Sequence, residues 1–238
     1  MSDGSPLDAA VFRPVRRGNA LEDTVARLMQ TIRLGVVAPG EALPSERELA
    51  LRFSVSRDTV REAIRELADA GYLVSRRGRY GGTFVSERLP DAATAPSRAW
   101  SRAELDDALG LREILEVGGA RAAAGRALAA AERDRLVSRL DDVAGAPADD
   151  YRRLDSLLHL TIGELVGVPS LLGLLADNRT RVNDLLDTIP LLPRNIEHSN
   201  EQHRQIVFAI LAGQPDAAAD AMREHLEGSS ALLRGFLG

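Results

Sequence analysis

His159, His203 and His225 lie far apart in the second half of the chain, yet each falls on a stretch whose other members at helical spacing are apolar. Asp155 precedes His159 by four residues, so one helix face would present both. A buried imidazole or carboxylate without a partner is costly. Taken singly, each histidine is read as a hydrogen-bonded core residue. Together, one carboxylate and three imidazoles turned inward from three helices form a ligand set for a divalent cation. Zinc stands first among the candidates, with Ni, Mn or Fe(II) as the others. Arg112 and Glu116 interrupt a further apolar stripe, made of Leu105, Ala108, Leu109, Leu115, Gly119, Ala120 and Ala123. An inward guanidinium can hold a small carboxylate at such a cation, or it can pair internally with Glu116. Arg179 and Arg181 are further anion-binding candidates, although an exposed helix face explains them equally well. His198 lies with Glu201, Gln202 and Gln205 on a polar face and is read as solvated.

The first half carries a different chemistry. Arg57 and Arg61 stand four apart behind Ser56, a favourable N-cap residue, with Thr59 between them. A guanidinium fork binds guanine bidentately or clamps phosphates. A threonine offers a hydroxyl to a phosphate and a methyl to a thymine, and the N–H groups of a helix start favour an anion. The alternative is a solvated helix face, on which these arginines pair with Asp58, Glu62 and Glu66.

The elements that must position these groups follow from periodicity. Leu21, Val25, Leu28 and Ile32 predict a helix over 19–34, ended by Gly35 and Pro39-Gly40. Ser45-Glu46-Arg47-Glu48 reads as a capping box opening a second helix. A third runs from Ser56 to about Ala70, with Val60, Ala63, Ile64 and Leu67 inward. Two β-prone runs, 72–74 and 83–85, flank a basic, glycine-rich tip that includes Arg79 and Tyr80. Three helices and a basic hairpin make a winged helix-turn-helix over 19–88. Its third helix would enter the major groove of double-stranded DNA. Residues 89–101, with two prolines and no apolar period, read as a linker, and residues 1–18 as a disordered arm. Beyond the linker, six helical patterns (102–127, 130–144, 148–167, 169–188, 194–213 and 215–236) predict an all-α bundle over 102–238. The fold class is mainly α.

Composition narrows the choices. The 238 residues are 45% hydrophobic and 27% charged, which suits a packed core in a soluble protein. The absence of cysteine excludes disulfides, thiolate metal sites and a cysteine nucleophile. No apolar run approaches the roughly 20 residues of a membrane helix, and the first residues lack a signal-peptide pattern, so a cytoplasmic location with no membrane partner is expected. All 30 basic residues are arginine. The net charge of −5 is split, with +2 over residues 1–88 and −7 over 89–238, as for two halves with different partners.

Two stretches carry a family resemblance. Pro39-Gly40-Glu41-Ala42-Leu43-Pro44-Ser45-Glu46-Arg47-Glu48-Leu49-Ala50, then Ser56-Arg57-Asp58-Thr59-Val60-Arg61-Glu62-Ala63-Ile64, and the wing motifs Gly71-Tyr72-Leu73 and Arg76-Arg77-Gly78 resemble the DNA-binding domain of GntR-type bacterial regulators. The resemblance implies DNA contact by Arg47, Arg57 and Arg61, with Ser56, Thr59, Arg77 and Gly78 beside them. Asp58 departs from the pattern, and an acid close to phosphates weakens contact there. In the second half, Leu111-Arg112-x-x-Leu115-Glu116, Asp155-x3-His159, His203 and His225 resemble the FCD effector domain of the FadR subfamily, with all four metal-ligand positions of its metal-containing members. The resemblance implies a homodimeric transcription regulator, a repressor released from its operator by a small carboxylate. A metalloenzyme carrying a DNA module lacks a clear general base, since Glu116 is already matched by Arg112. A sensor of the metal itself is the third reading.

Overall fold

The computed structural model describes residues 7, 11, 12, 20–78, 81–90 and 100–237. The chain divides into two compact units, Met1–Ala95 and Pro96–Gly238.

In the first unit, α1 (Ala20–Arg33), α2 (Glu46–Phe53) and α3 (Arg57–Asp69) precede a hairpin of β1 (Leu73–Arg76) and β2 (Gly82–Val85). Leu28, Ile32, Leu49, Phe53, Val60, Ala63, Ile64 and Leu67 fill one core, and each large aliphatic buried there is worth about 1.5–3 kcal/mol. Ser56 caps α3 by accepting the Thr59 N–H at 3.0 Å. At α2 the expected capping box is only half formed. Ser45 accepts the Glu48 N–H, but the Glu48 carboxylate takes Arg52 at 2.5 Å, one turn onward. The strands pair antiparallel in the register Leu73↔Val85 and Arg76↔Gly82, and Ala42 bridges to Phe84 on the outer side of β2. The hairpin tip needs glycine twice. Gly78 sits at φ 109°, and a Cβ on Gly81 would lie 2.5 Å from the Arg76 carbonyl.

The N-terminal arm departs from expectation at three positions. Leu7, Val11 and Phe12 are buried, and Phe12 stacks on Phe53 with centroids 5.7 Å apart beneath the Arg52 guanidinium. Side chains four apart supply an apolar face short enough to escape notice among polar neighbours. The rest of that arm, Arg79 and Tyr80, and most of the linker at 89–101 lie outside the described residues.

The second unit consists of α4 (Arg102–Ala124), α5 (Ala130–Ala144), α6 (Ala148–Leu165), α7 (Pro169–Leu186), α8 (Pro193–Leu211) and α9 (Pro215–Leu237). Its fold is the expected six-helix bundle, and α5 has the expected bounds. Ser101 and Glu104 form a full capping box at α4, while Gly125 caps its end three residues early. Helix α6 also stops early, since Gly167 takes φ 75°. The inward face of α4 is the predicted stripe, with Ala124 added. Gly163 lets α7 approach α6 closely, because a Cβ there would stand 2.3 Å from Leu175 Cδ1. One core cluster joins Ala120, Leu136, Leu158, Ile162, Ile206, Val207, Ile210 and Met222 across five helices. A smaller one joins Leu105, Leu109, Leu185, Ile189 and Leu233, with Trp100 against it. No helix among the described residues is long and apolar enough to cross a membrane.

Candidate metal centre and nucleic-acid surface

Helix α6 brings Asp155 and His159 to the bundle interior one turn apart, α8 brings His203, and α9 brings His225. All four are buried, and one ligand atom from each lies within 4.8 Å of the others. The imidazole centroids are 4.5–5.4 Å apart. Asp155 divides its carboxylate. Oδ2 contacts Arg179 Nη2, while Oδ1 faces the imidazoles, 3.2 Å from His203 Nε2 and 3.7 Å from His159 Nε2. Two ligands that share a cation at about 2.1 Å stand about 3 to 3.5 Å apart, so the first spacing suits joint coordination.

The imidazole nitrogens test the fit. Neither nitrogen of His159 or His203 has a hydrogen-bond partner, although both rings are buried. His159 Nδ1 lies 2.6 Å from Glu116 Oε2, but outside hydrogen-bond alignment. Burial, followed by the neighbouring His159 and Arg179, holds His203 well below the ordinary histidine pKa of 6.5. Burial and the His203 ring do the same for His225. Both are therefore neutral at neutral pH, as ligand nitrogens must be. His225 Nδ1 faces Gln202 Oε1 at 3.2 Å, which assigns its proton to Nδ1 and leaves Nε2 to coordinate. The donor set fits a divalent cation.

A charged layer lies behind these ligands. Arg112 Nε is 3.3 Å and Arg179 Nη1 3.5 Å from Glu116 Oε1. Despite the cost of burial, His159, Arg112 and Arg179 hold the Glu116 carboxyl far below its ordinary range. Burial brings Arg179 down to about 10, so it remains charged. Arg112 also donates from Nη1 to Ser229 Oγ at 2.7 Å. The internal pair with Glu116 and the inward guanidinium thus coexist. Arg112, Asp155 and His225 line a cavity that opens to solvent, walled by Leu186, Ile189, Leu191 and Ile196 among others.

The sequence left Arg179 open between an anion-binding site and an exposed face, and it misplaced Gln202. Arg179 does not occupy an exposed face; it is buried, on the stripe of Leu172, Leu175, Ala176 and Val182. The period that exposed Arg112 would have found it. Arg181 does sit nearer the surface, donating to Asp107 at 2.8 Å. Gln202 was placed with His198 on a solvated face, but only His198 is exposed.

In the first unit, Arg47, Ser56, Arg57, Arg61, Arg77 and Gly78 are exposed and Thr59 is half-buried. Arg47, Arg57 and Arg77 have no ion pair among the described residues. Arg61 is held by Glu46 and Asp58, each at 3.0 Å. Hence the pairing with neighbouring acids expected of a solvated face is present at Arg61 and at Arg65, which pairs with Glu62, and absent, among the described residues, at the exposed Arg57.

The gntR-family model of bacterial regulatory proteins matches residues 21–85, and the FCD-domain model matches residues 107–228. The chain belongs to the GntR family of regulators that carry an FCD domain. A transcriptional repressor NanR of Cronobacter sakazakii is 32% identical over 90% of this chain and 85% of its own. The putative L-lactate dehydrogenase operon regulatory protein of Escherichia coli is 29% identical over 95% of this chain and 90% of its own. The fold matches that of E. coli McbR/YncC with a TM-score of 0.58, at 19% identity, over 92% of this chain and 99% of that one. Members of this family are DNA-binding transcription regulators and not enzymes, and this GntR/FCD protein is one of them.

Proposed function

We propose that this GntR/FCD regulator is a homodimeric repressor whose affinity for operator DNA is set by a small organic acid bound beside a divalent cation. The observation that carries the reading is the convergence of Asp155, His159, His203 and His225, whose ligand atoms lie within 4.8 Å of one another in a site that gives four imidazole nitrogens no hydrogen bond. These four residues would hold the ion, zinc first among the candidates. When bound, the ion supplies Lewis-acid attraction for an anion. The charge balance favours an acid as the effector. Glu116 and Asp155 already match Arg112 and Arg179, so a divalent cation leaves the buried site two charges positive. Arg112, on the cavity wall, orients the carboxylate. The name of the NanR relative supports repression.

Helix α3 serves as the recognition helix. Arg57 is available to a guanine edge, Arg47 and Arg77 to phosphates, and Ser56, Thr59 and Gly78 to the backbone beside them. Arg61 exchanges Glu46 and Asp58 for DNA on docking. Two protomers would read half-sites about one helical turn apart.

The test uses DNA selected by the protein from a random pool. Anisotropy is followed for metal-stripped protein, zinc-loaded protein, and zinc-loaded protein with a panel of acids. The reading expects release at least tenfold easier with one acid, and only when zinc is present. Release by zinc alone would make the ion the effector; no response to either would overturn the sensing role.

A further inference from the structure

The cavity beside the ligand set contains a polar atom that nothing in the protein satisfies. Asn183, on α7, is 5% exposed and lines the cavity, and its Oδ1 has no hydrogen-bond partner. The surrounding bonds fix which end of the amide is left over. Ser156 Oγ gives its only hydrogen to the Arg152 carbonyl at 2.8 Å. Its lone pairs then accept Asn183 Nδ2 at 2.9 Å and Arg179 Nε at 3.4 Å. With that hydrogen on the Arg152 carbonyl, Nδ2 is the end of the amide that meets Ser156 Oγ, and Oδ1 is left without a partner. A buried acceptor left unpaired is costly, and whatever fills the cavity relieves it by donating a hydrogen.

Arg112 faces the same cavity with the opposite demand. Its Nε hydrogen goes to Glu116 and one Nη1 hydrogen to Ser229, leaving the other Nη1 hydrogen and both on Nη2 to donate. Hence one wall asks for an acceptor and another for a donor, while Leu186, Ile189, Leu191, Leu192, Ile196 and Leu232 make the remainder apolar. An ammonium donor is disfavoured. The cavity's one carboxylate, Asp155, is already paired with Arg179, and a divalent cation beside it leaves the site two charges positive.

We infer that the effector is a hydroxy acid, its carboxylate held by Arg112 and its hydroxyl hydrogen donated to Asn183 Oδ1. This rests on the acid-effector reading above and narrows it. It also makes Asn183 a specificity-determining residue, because a site built to pair a hydroxyl rejects an analogue that lacks one.

Calorimetric titration of the zinc-loaded full-length protein with matched acids tests this. The pairs are lactate against propanoate, malate against succinate, and gluconate against hexanoate, with alanine as the ammonium counterpart of lactate. The hydroxy member of at least one pair is expected to bind tenfold or more tighter than its deoxy partner, and lactate more tightly than alanine. In Asn183→Ala the preference should fall below threefold while the deoxy acid keeps its affinity. Ser156→Ala, which frees the amide to turn over, should blur the preference too and serves if Asn183→Ala does not fold. Equal binding within every pair would mean that a trapped water satisfies Asn183. That result, tighter binding of alanine, or a preference that survives both variants overturns the inference and leaves an acid effector standing. Binding of no acid at all overturns both readings.

Discussion

Both units of this regulator set arginines beside carboxylates, but in opposite surroundings. In the winged domain, Arg61 is 57% exposed between Glu46 and Asp58, so its bonds are exchanged with water and screened by salt. In the effector bundle, Arg112 and Arg179 are at most 2% exposed against Glu116 and Asp155, where no solvent substitutes for a missing partner. The difference teaches what each arrangement is for. Exposed pairs are weak and can be traded for phosphates. Buried pairs are costly to break and fix the geometry of a site.

Removing one partner from each region sharpens that contrast most. Glu116→Ala leaves Arg112 and Arg179 with too little negative charge, and a loss of about 3–5 kcal/mol in unfolding free energy is expected by urea titration. A loss below 1 kcal/mol would mean that the buried layer is better solvated than its burial indicates. Arg57→Ala should leave unfolding unchanged, since the side chain is exposed and has no ion pair among the described residues. It should weaken operator binding by about 1–3 kcal/mol and relax the preference at one base. Uniform weakening across sequences would reassign Arg57 to a phosphate.

Acid separates the two units next. All four histidines lie in the second unit. Burial keeps His203 and His225 neutral in the folded, metal-stripped chain, with pKa values well below 6.5. Below pH 6.5 the unfolded chain takes up protons that the folded chain refuses. Stability is therefore full above that pH and is lost on acidification, by about 1.4 kcal/mol per histidine per pH unit. Trp100, the only tryptophan, packs in the second unit and reports its unfolding. A flat response between pH 7.5 and 5.5 would show that these rings are not held neutral.

Much of this was legible in residue spacing, because periodicity reports the angle at which a side chain leaves its helix. That angle exposed Arg112, Glu116, Asp155 and the three histidines. It also held the signal for Arg179, which the charge of an arginine obscured. It carries no information on depth. His198 and Gln202 are one turn apart on one face of α8, yet only Gln202 lies deep enough to meet α9 and to orient His225. Nor does spacing show which hydrogens are spent, and so the unpaired Asn183 carbonyl required coordinates. Helix ends overran by up to three residues where a glycine cap preceded the expected stop, as at Gly125. Buried Phe12 was missed because a short apolar face lay within a polar arm.

The central claim is that four separated side chains hold one cation. Calorimetric titration of zinc into metal-stripped full-length protein tests it directly, with the His203→Ala/His225→Ala double variant beside it. One ion per chain is expected for the wild type, with affinity at least a hundredfold weaker in the variant. Absence of binding by the wild type, or equal affinity in the variant, would contradict the account.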